Sequence, residues 1–217
     1  MSTEAEPTGA QVANHEATAA AVEATRRLIR ALRLADAPPD VLGRAEALAA
    51  EAAELLEPHR VDHPVVMQGA LRADLGNMQP TVSKDPADFF PYSSVVGPLN
   101  PLSPPIALRF DGERVRGTAR MPAPYAGPPG MVHGGIIALI FDELLGATNV
   151  CHGVGAFTGT LSVRYERPTP LGGELELEGW LERVEGRKVF SHGTIRHAGE
   201  VTARAEGIFI LTPVTDL

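Results

Sequence analysis

A short stretch near the middle of the chain combines residue types suited to chemistry on a carbonyl group. It runs from 130 to 146 as GMVHGGIIALIFDELLG, with His133, Gly134 and Gly135 directly before an apolar run. Two adjacent glycines weaken the first turn of a helix, and the carboxylate of Asp142 is costly among apolar neighbours. Because both choices reduce stability, we interpret this stretch as a functional site.

The two glycines and the carboxylate suggest complementary parts of one reaction. Glycines at a helix start leave backbone N–H groups unshielded by a Cβ, so a carbonyl oxygen can approach the amides of Gly134 and Gly135 closely. The helix dipole favours negative charge developing there, and each such donor contributes roughly 3 to 4 kcal/mol in a transition state. Asp142 supplies a base or a nucleophile.

The spacing of these groups predicts a dimer. Gly134 and Asp142 are eight residues apart, so on one helix they lie about 12 Å apart along the axis and about 80° apart around it. Reacting groups must come within about 3 to 3.5 Å of one another. One helix therefore cannot bring both to a single carbonyl, whereas two antiparallel copies can, with two equivalent shared sites in a homodimer.

Neighbouring residues allow more than one interpretation. His133 is equally consistent with a general base and with a structural cap that holds the glycine turn. Glu143 points about 100° away from Asp142 and is expected to face solvent or an interface. Cys151 lies beside His152, but adjacent residues rarely converge on one substrate atom, so we expect a small buried or interface cysteine.

Composition excludes several classes of function. The formal net charge is −8 with a pI near 5.4, so no basic field attracts nucleic acid. The single cysteine allows no intramolecular disulfide, and the seven histidines show no metal-ligand spacing, so we expect no metal and no separate cofactor. No segment has the apolar length of a membrane span or a signal peptide, and we expect a cytoplasmic protein.

Proline and hydrophobic patterning divide the chain into four parts. Residues 1–14 are small and polar and predict a flexible leader. Residues 15–58 predict a helical hairpin broken at Pro38, with narrow Ala-rich faces that dock on the rest of the protein or on a partner copy. Residues 59–104 are a Pro-rich connector that packs on the core, and 105–217 form the main domain.

In the main domain, apolar and polar residues alternate in several segments, as in the strands of an antiparallel sheet, and one helical segment lies among them. Such a combination is an α+β architecture of about six strands wrapped round one long helix. The helix is predicted from 134 to about 150, and the strands are predicted at 106–110, 115–121, 157–165, 173–185, 189–197 and 201–211.

Several motifs in this domain resemble the hotdog-fold acyl-CoA thioesterases. Within them, the likeness is to the branch that includes the phenylacetate-pathway thioesterases and thioesterase-superfamily members 4 and 5. The resemblance spans about 97–213. It rests on GPLNP at 97–101, YAGPPGMVHGG at 125–135, Asp142 nine positions after the histidine, and TGTLSVRYERP at 158–168.

The resemblance implies a role for individual residues. It implies that the Gly134 amide polarises a thioester carbonyl, that Asp142 of the other subunit is the nucleophile or general base, and that the Thr158 hydroxyl helps to place water. Some relatives carry Asn or Gln six residues before the histidine, where this chain has Gly127, so no side-chain amide assists from there. Shared antiparallel sites in a homodimer or a dimer of dimers are likewise implied.

A coenzyme A ester carries phosphates, so basic residues near the mouth of the site are candidates for binding it. These candidates are Arg164, Arg167, Arg187 and Lys188, for which solvated strand and turn charges are an equal alternative. The hypothesis is hydrolysis of an acyl-CoA. The alternative is a non-catalytic hotdog module that binds an acyl-CoA as a sensor, and a hotdog hydratase is disfavoured because the helix lacks an Asp and His pair at hydratase-like spacing.

Overall fold

The computed structural model of the chain describes residues 9–60 and 85–211, with side chains from residue 14 onward. Parts of the predicted leader and connector, and the last residues of the predicted core domain, lie outside the described residues.

The core is a six-stranded sheet in which every pair of neighbouring strands is antiparallel. The spatial order is β1-β2-β4-β5-β6-β3, so β3 forms one edge of the sheet. The strands are β1 (Ile106–Phe110), β2 (Arg114–Arg120), β3 (Ala156–Tyr165), β4 (Glu174–Glu185), β5 (Lys188–His197) and β6 (Glu200–Leu211).

A single long helix, Gly134–Cys151, packs against one face of this sheet. In chain order this helix is α3. Its buried side includes Phe141, Leu144 and Leu145, which are at most 1 % exposed. Sheet glycines let it approach closely, since a Cβ on Gly179 would come within 2.6 Å of Thr148 Oγ1 on the helix. The α+β hotdog architecture predicted from the sequence is confirmed.

The strand predictions rested on alternation, and burial explains why they agree with the structure. In β4, Leu175 and Leu177 are 1 % and 2 % exposed, whereas the intervening Glu176 faces solvent. The turn between β1 and β2 contains Gly112 with a φ of 103°, a backbone conformation that favours glycine.

By length and composition alone α3 could cross a membrane, and half of its residues are buried inside the described structure. That apolar surface is what a core helix requires, so the composition of α3 is accounted for by the sheet that covers it.

Two helices precede the sheet, α1 (Gly9–Leu34) and α2 (Pro39–Leu56). The first begins at Gly9, so the predicted leader of residues 1–14 extends too far. Ala10, Gln11 and Ala13 are good helix formers that continue the Ala-rich pattern. No residue of α2 is buried within the chain, so the docking on the rest of the protein applies to α1, and docking of α2 on a partner copy stays a prediction.

The segment before β1 holds α1 against the core. Val22 is 8 % exposed, and Arg26 donates from Nη2 to the carbonyls of Gly97 at 3.0 Å and Asn100 at 2.8 Å. The same segment buries Phe89 and Val95 in the core cluster. The connector therefore lies between α1 and the sheet domain and contacts both.

Candidate active site

The turn that precedes α3 is fixed by backbone hydrogen bonds from two other segments. The His133 N–H donates to the Tyr125 carbonyl at 3.0 Å, and the Val132 N–H donates to the Thr169 carbonyl at 2.9 Å. Gly130 has a φ of 73°, which turns the chain toward the helix at little steric cost. The first turn of α3 is therefore held by the Pro-rich loops on either side of it.

His133 caps the helix with its side chain. Its Nδ1 accepts the Gly135 N–H at 3.0 Å, a contact that fits the predicted helix-capping role, and the general-base role stays a prediction. That hydrogen bond occupies the Gly135 amide. The Gly134 N–H has no acceptor in the described part of the chain. Of the two predicted donors, the Gly134 amide is therefore the one open to a ligand.

Tyr165, at the end of β3, completes the surroundings of Gly134. Its hydroxyl donates to the Gly134 carbonyl at 2.8 Å. A Cβ added to Gly134 would lie 3.6 Å from the tyrosine ring, an ordinary contact distance. Tyr165 was not among the predicted site residues, because regular alternation from Thr158 places it on the opposite face of β3.

Asp142 and Thr158 meet within one chain. The Thr158 hydroxyl donates to Asp142 Oδ1 at 2.8 Å, and Asp142 is half-buried on α3. A hydroxyl that donates to one carboxylate oxygen fixes the plane of the carboxylate and leaves the other oxygen free. The two side chains are therefore in direct contact within one chain.

A β-bulge aims Thr158 at the helix. Thr158 and Tyr165 are an odd number of residues apart, so in a regular strand their side chains would lie on opposite faces. The pairing of β3 with β6 shifts register between Thr158 and Thr160, which adds one residue at Gly159 and restores the same face. A Cβ on Gly159 would approach Ile210 Cγ1 to 3.0 Å, so glycine suits the bulge.

The opposite ends of β3 thus contact the two chemical groups of α3 separately. The Thr158 end contacts Asp142, and the Tyr165 end contacts Gly134. Since Gly134 and Asp142 lie on the same helix eight residues apart, about 12 Å along its axis, one chain keeps them at separate places.

Glu143 departs from the expectation that it faces solvent or an interface. Its Oε1 is buried and has no hydrogen-bond partner among the described residues. Burial raises the pKa of Glu143, a nearby Ser93 hydroxyl opposes that rise, and the charge of Asp142 adds to it. The angle around α3 was predicted correctly, but the connector that contains Ser93 covers that side of the helix.

Cys151 is a buried residue rather than a nucleophile. Its side chain is 5 % exposed, and burial raises the pKa of the thiol to about 12. A thiol with so high a pKa holds almost no thiolate near neutral pH.

The candidate phosphate-binding residues fall into two groups. Arg187 and Lys188 lie beside the end of β6 that pairs with Phe157, near the Thr158 end of β3. Arg164 and Arg167 lie at the Tyr165 end, where Arg167 forms an ion pair with Glu200. One chain does not bring the two groups together.

The glycine at position 127 has a steric reason. A Cβ on Gly127 would lie 2.7 Å from the Cα of His133, closer than real side chains approach. The loop before α3 is therefore packed too tightly here for the side-chain amide.

These features define a hotdog domain with an open helix N-terminus and a hydroxyl-bound carboxylate. The family model described as the thioesterase superfamily matches residues 129–203, which include α3, β3 and β4. A crystal structure of a thioesterase superfamily protein is 36% identical, with a TM-score of 0.73, and the match covers 89% of this chain and 90% of that one. The chain belongs to the thioesterase superfamily.

Curated relatives share the same part of the sequence. The acyl-coenzyme A thioesterase THEM4 of Xenopus laevis is 45% identical over 76 residues, which are 35% of this chain and 34% of that protein. The human acyl-coenzyme A thioesterase THEM5 is 31% identical over 87 residues, 39% of this chain and 35% of that protein. The matched region thus spans about a third of the length of these relatives.

Proposed function

We propose that the protein hydrolyses an acyl-CoA thioester to a free acid and coenzyme A, at two equivalent sites that a homodimer shares. The observation that carries this proposal is the connection of the two ends of β3 to Gly134 and to Asp142. The names of the curated relatives, acyl-coenzyme A thioesterases, support the choice of substrate class.

The edge position of β3 favours a dimer through this strand. An edge strand presents unpaired N–H and C=O groups that can pair with another strand. If β3 pairs antiparallel with its own copy around its centre, the Thr158 end of one chain meets the Tyr165 end of the other. Asp142 of one subunit then approaches Gly134 of its partner, which overcomes the separation of about 12 Å within one chain.

The same pairing would unite the basic residues. Arg187 and Lys188 lie at the Thr158 end of one subunit, and Arg164 and Arg167 lie at the Tyr165 end of the other. Four cations from two chains would then surround each site. Such a cluster suits the phosphates of coenzyme A, although Arg167 must exchange its ion pair with Glu200 to take part.

The reaction follows from these positions. The thioester carbonyl oxygen accepts the Gly134 N–H, and the helix dipole stabilises the negative charge that develops on it. Asp142 takes a proton from water while the water oxygen bonds to the carbonyl carbon. The tetrahedral intermediate then collapses, the C–S bond breaks, and the CoA thiolate leaves and takes up the proton that Asp142 had accepted, which restores the carboxylate. Thr158 holds the carboxylate in position throughout.

Direct attack by Asp142 is the other order of events. The carboxylate oxygen would then form a mixed anhydride as the C–S bond breaks, and water would hydrolyse that anhydride to the acid and free Asp142. Rapid acid quench of a single turnover followed by mass spectrometry of the protein distinguishes the two orders, because only direct attack leaves the acyl group covalently bound at Asp142.

Thiol release from a panel of aromatic, short-chain and long-chain acyl-CoAs tests the activity. We expect turnover by the wild type and a loss of at least a hundredfold in Asp142→Asn, since an amide neither accepts the proton nor attacks. Equal rates in both proteins would refute the mechanism. Tight binding of acyl-CoA without turnover in the wild type would instead favour the sensor alternative.

Mixed dimers test the shared sites. Gly134→Pro removes the amide donor and Asp142→Asn removes the carboxylate, so each variant alone should be inactive. In a mixed dimer one of the two sites keeps both wild-type groups, and activity should return to about half of that of a wild-type dimer. A verified heterodimer that stays inactive would contradict the shared-site geometry.

A further inference from the structure

An apolar cavity lies between α1, the connector and the face of α3 that points away from the sheet. Its volume is about 380 Å³, and its lining is mostly aliphatic and proline side chains. The residues that matter for the argument are Ile29 of α1, Leu102 and Tyr125 of the loops, and Ile136 and Leu139 of α3.

This cavity begins next to the open amide. Ile136 is two residues after Gly134 in the first turn of α3. The Tyr125 carbonyl accepts the His133 N–H at 3.0 Å, so a wall of the cavity is bonded to the turn itself. Leu139, farther along α3, is 40 % exposed, so the lining is open beside the helix. Since Ile136 and the Tyr125 loop border both the turn and the cavity, a thioester carbonyl bound at Gly134 would place its acyl group at the entrance.

The size and lining of the cavity define which acyl groups suit it. A cavity of about 150 Å³ is enough to hold benzene, so this one accommodates an aromatic acyl group or an alkyl chain of medium length. The lining offers no ion pair to an acyl group, and apolar burial is the interaction available along most of its length.

A second, smaller cavity of about 140 Å³ adjoins the first and shares Ile29, Pro101, Pro124 and Tyr125 with it. Unlike the first, it also has charged residues in its lining, namely Glu23, Arg26 and Arg30. An alkyl chain that passed Ile29 would displace water from these charged groups without pairing them. The apolar path therefore ends at α1.

Helix α1 is held firmly enough to set this limit. The Arg26 guanidinium donates to three oxygen atoms of the connector: the carbonyl oxygens of Gly97 and Asn100 and the hydroxyl oxygen of Ser103. Arg26 lies about one helical turn before Ile29, so the two side chains are neighbours on the same face of α1. The likeness to the solved thioesterase superfamily structure covers 89% of this chain, so it extends beyond the sheet domain into this N-terminal part.

We propose that α1 is a specificity element, in which Ile29 closes an acyl slot that selects aromatic and medium-length apolar acyl groups over long ones. This proposal rests on the proposed thioesterase function. It assigns a role to the N-terminal helix, which lies outside the residues that the family model matches.

The test is the dependence of kcat/KM on acyl length, from butanoyl-CoA to hexadecanoyl-CoA, in three variants. In the wild type, kcat/KM should rise by about fourfold per methylene until the slot is full and then fall. Ile29→Ala should move the maximum to longer chains, and Ile29→Trp should move it to shorter ones. Leu32→Ala is the matched control, because Leu32 lies on the same helix, is 51 % exposed and does not line the slot.

Folding and function are kept apart by two further measurements. Thermal unfolding and gel filtration show whether Ile29→Trp is folded and keeps the oligomeric state of the wild type; we expect the melting temperature and the elution volume to stay near those of the wild type. If Ile29→Trp does not fold, the shift of the maximum in Ile29→Ala decides alone. Maxima that are identical in the wild type, Ile29→Ala and the control would overturn the proposal.

Binding of S-alkyl-CoA thioethers, which cannot be hydrolysed, separates this proposal from the thioesterase function. If no acyl-CoA is turned over, calorimetry with butyl, octyl and dodecyl thioethers still measures the slot. Affinity that peaks at medium length and shifts in the Ile29 variants supports the slot even though the proposed activity has failed. Affinity independent of alkyl length in every variant refutes the slot whether or not the enzyme turns over.

Discussion

Replacing Thr158 by valine removes one hydroxyl from the site and keeps the shape of the side chain. The hydroxyl donates to Asp142 Oδ1 at 2.8 Å. Without it the carboxylate can rotate away from the position in which its free oxygen faces the water or the carbonyl carbon. We therefore expect Thr158→Val to lower kcat while KM for the acyl-CoA stays nearly unchanged.

The size of the loss follows from the type of hydrogen bond. A hydrogen bond to a charged group contributes about 1.5 to 3 kcal/mol, and about 1.4 kcal/mol corresponds to a factor of ten in rate. The expected decrease in kcat is therefore about tenfold to 150-fold. Because Thr158 is exposed in the single chain, we expect the smaller part of this range if solvent still reaches it in the dimer.

The assay is thiol release at saturating acyl-CoA, with Thr160→Val as the matched control. Thr160 has the same chemistry and lies on the same strand, but it follows the bulge and points to the other face. We expect the control to keep kcat within about twofold. An unchanged kcat in Thr158→Val, or an equal loss in both variants, would refute the role assigned to the hydroxyl.

Three further predictions concern stability and reactivity. Glu143→Gln should raise the free energy of unfolding at pH 7 by about 1 kcal/mol, or Tm by about 2–4 °C, in thermal scans. Because burial raises the folded-state pKa of Glu143, the wild type loses stability relative to the variant as the pH rises through the carboxyl range. A higher stability of the variant that persists below pH 4 would contradict this explanation. Cys151 should resist iodoacetamide at pH 8 by at least a hundredfold relative to the unfolded chain, and rapid labelling of the native protein would disprove its burial. Arg26→Ala should weaken the docking of α1 by about 2 kcal/mol and speed hydrogen exchange in α1, whereas the exposed neighbour Arg27→Ala should not; equal exchange in both would argue against the Arg26 contacts.

The sheet and its helix could be predicted from the sequence because local patterns determine them. Alternation in β4 follows directly from one buried face and one wet face, and the helical run after His133 follows from its apolar spacing. The predicted strand limits differ from the structure by only a residue or so at each end. Packing decides such end residues, and local pattern does not.

The features that the sequence did not reveal depend on contacts between distant segments. Arg26 binds the connector 71 to 74 residues away, and no local pattern identifies such a partner. The buried Oε1 of Glu143 depends on the connector in the same way. Tyr165 was missed for a different reason, since regular alternation places it opposite Thr158 unless the bulge at Gly159 is known.

The bulge at Gly159 has a consequence for how this chain can change in evolution. Deleting Gly159 itself would leave a regular strand in which Thr158 and Tyr165 still share one face, whereas a deletion elsewhere between them, with the bulge retained, would turn one of the two side chains away from α3. In a symmetric dimer every such change is present twice, so a single deletion would disturb both sites at once. Among single-residue changes of length in β3 between Thr158 and Tyr165, loss of the bulge residue is therefore the one that preserves the shared face of the two side chains.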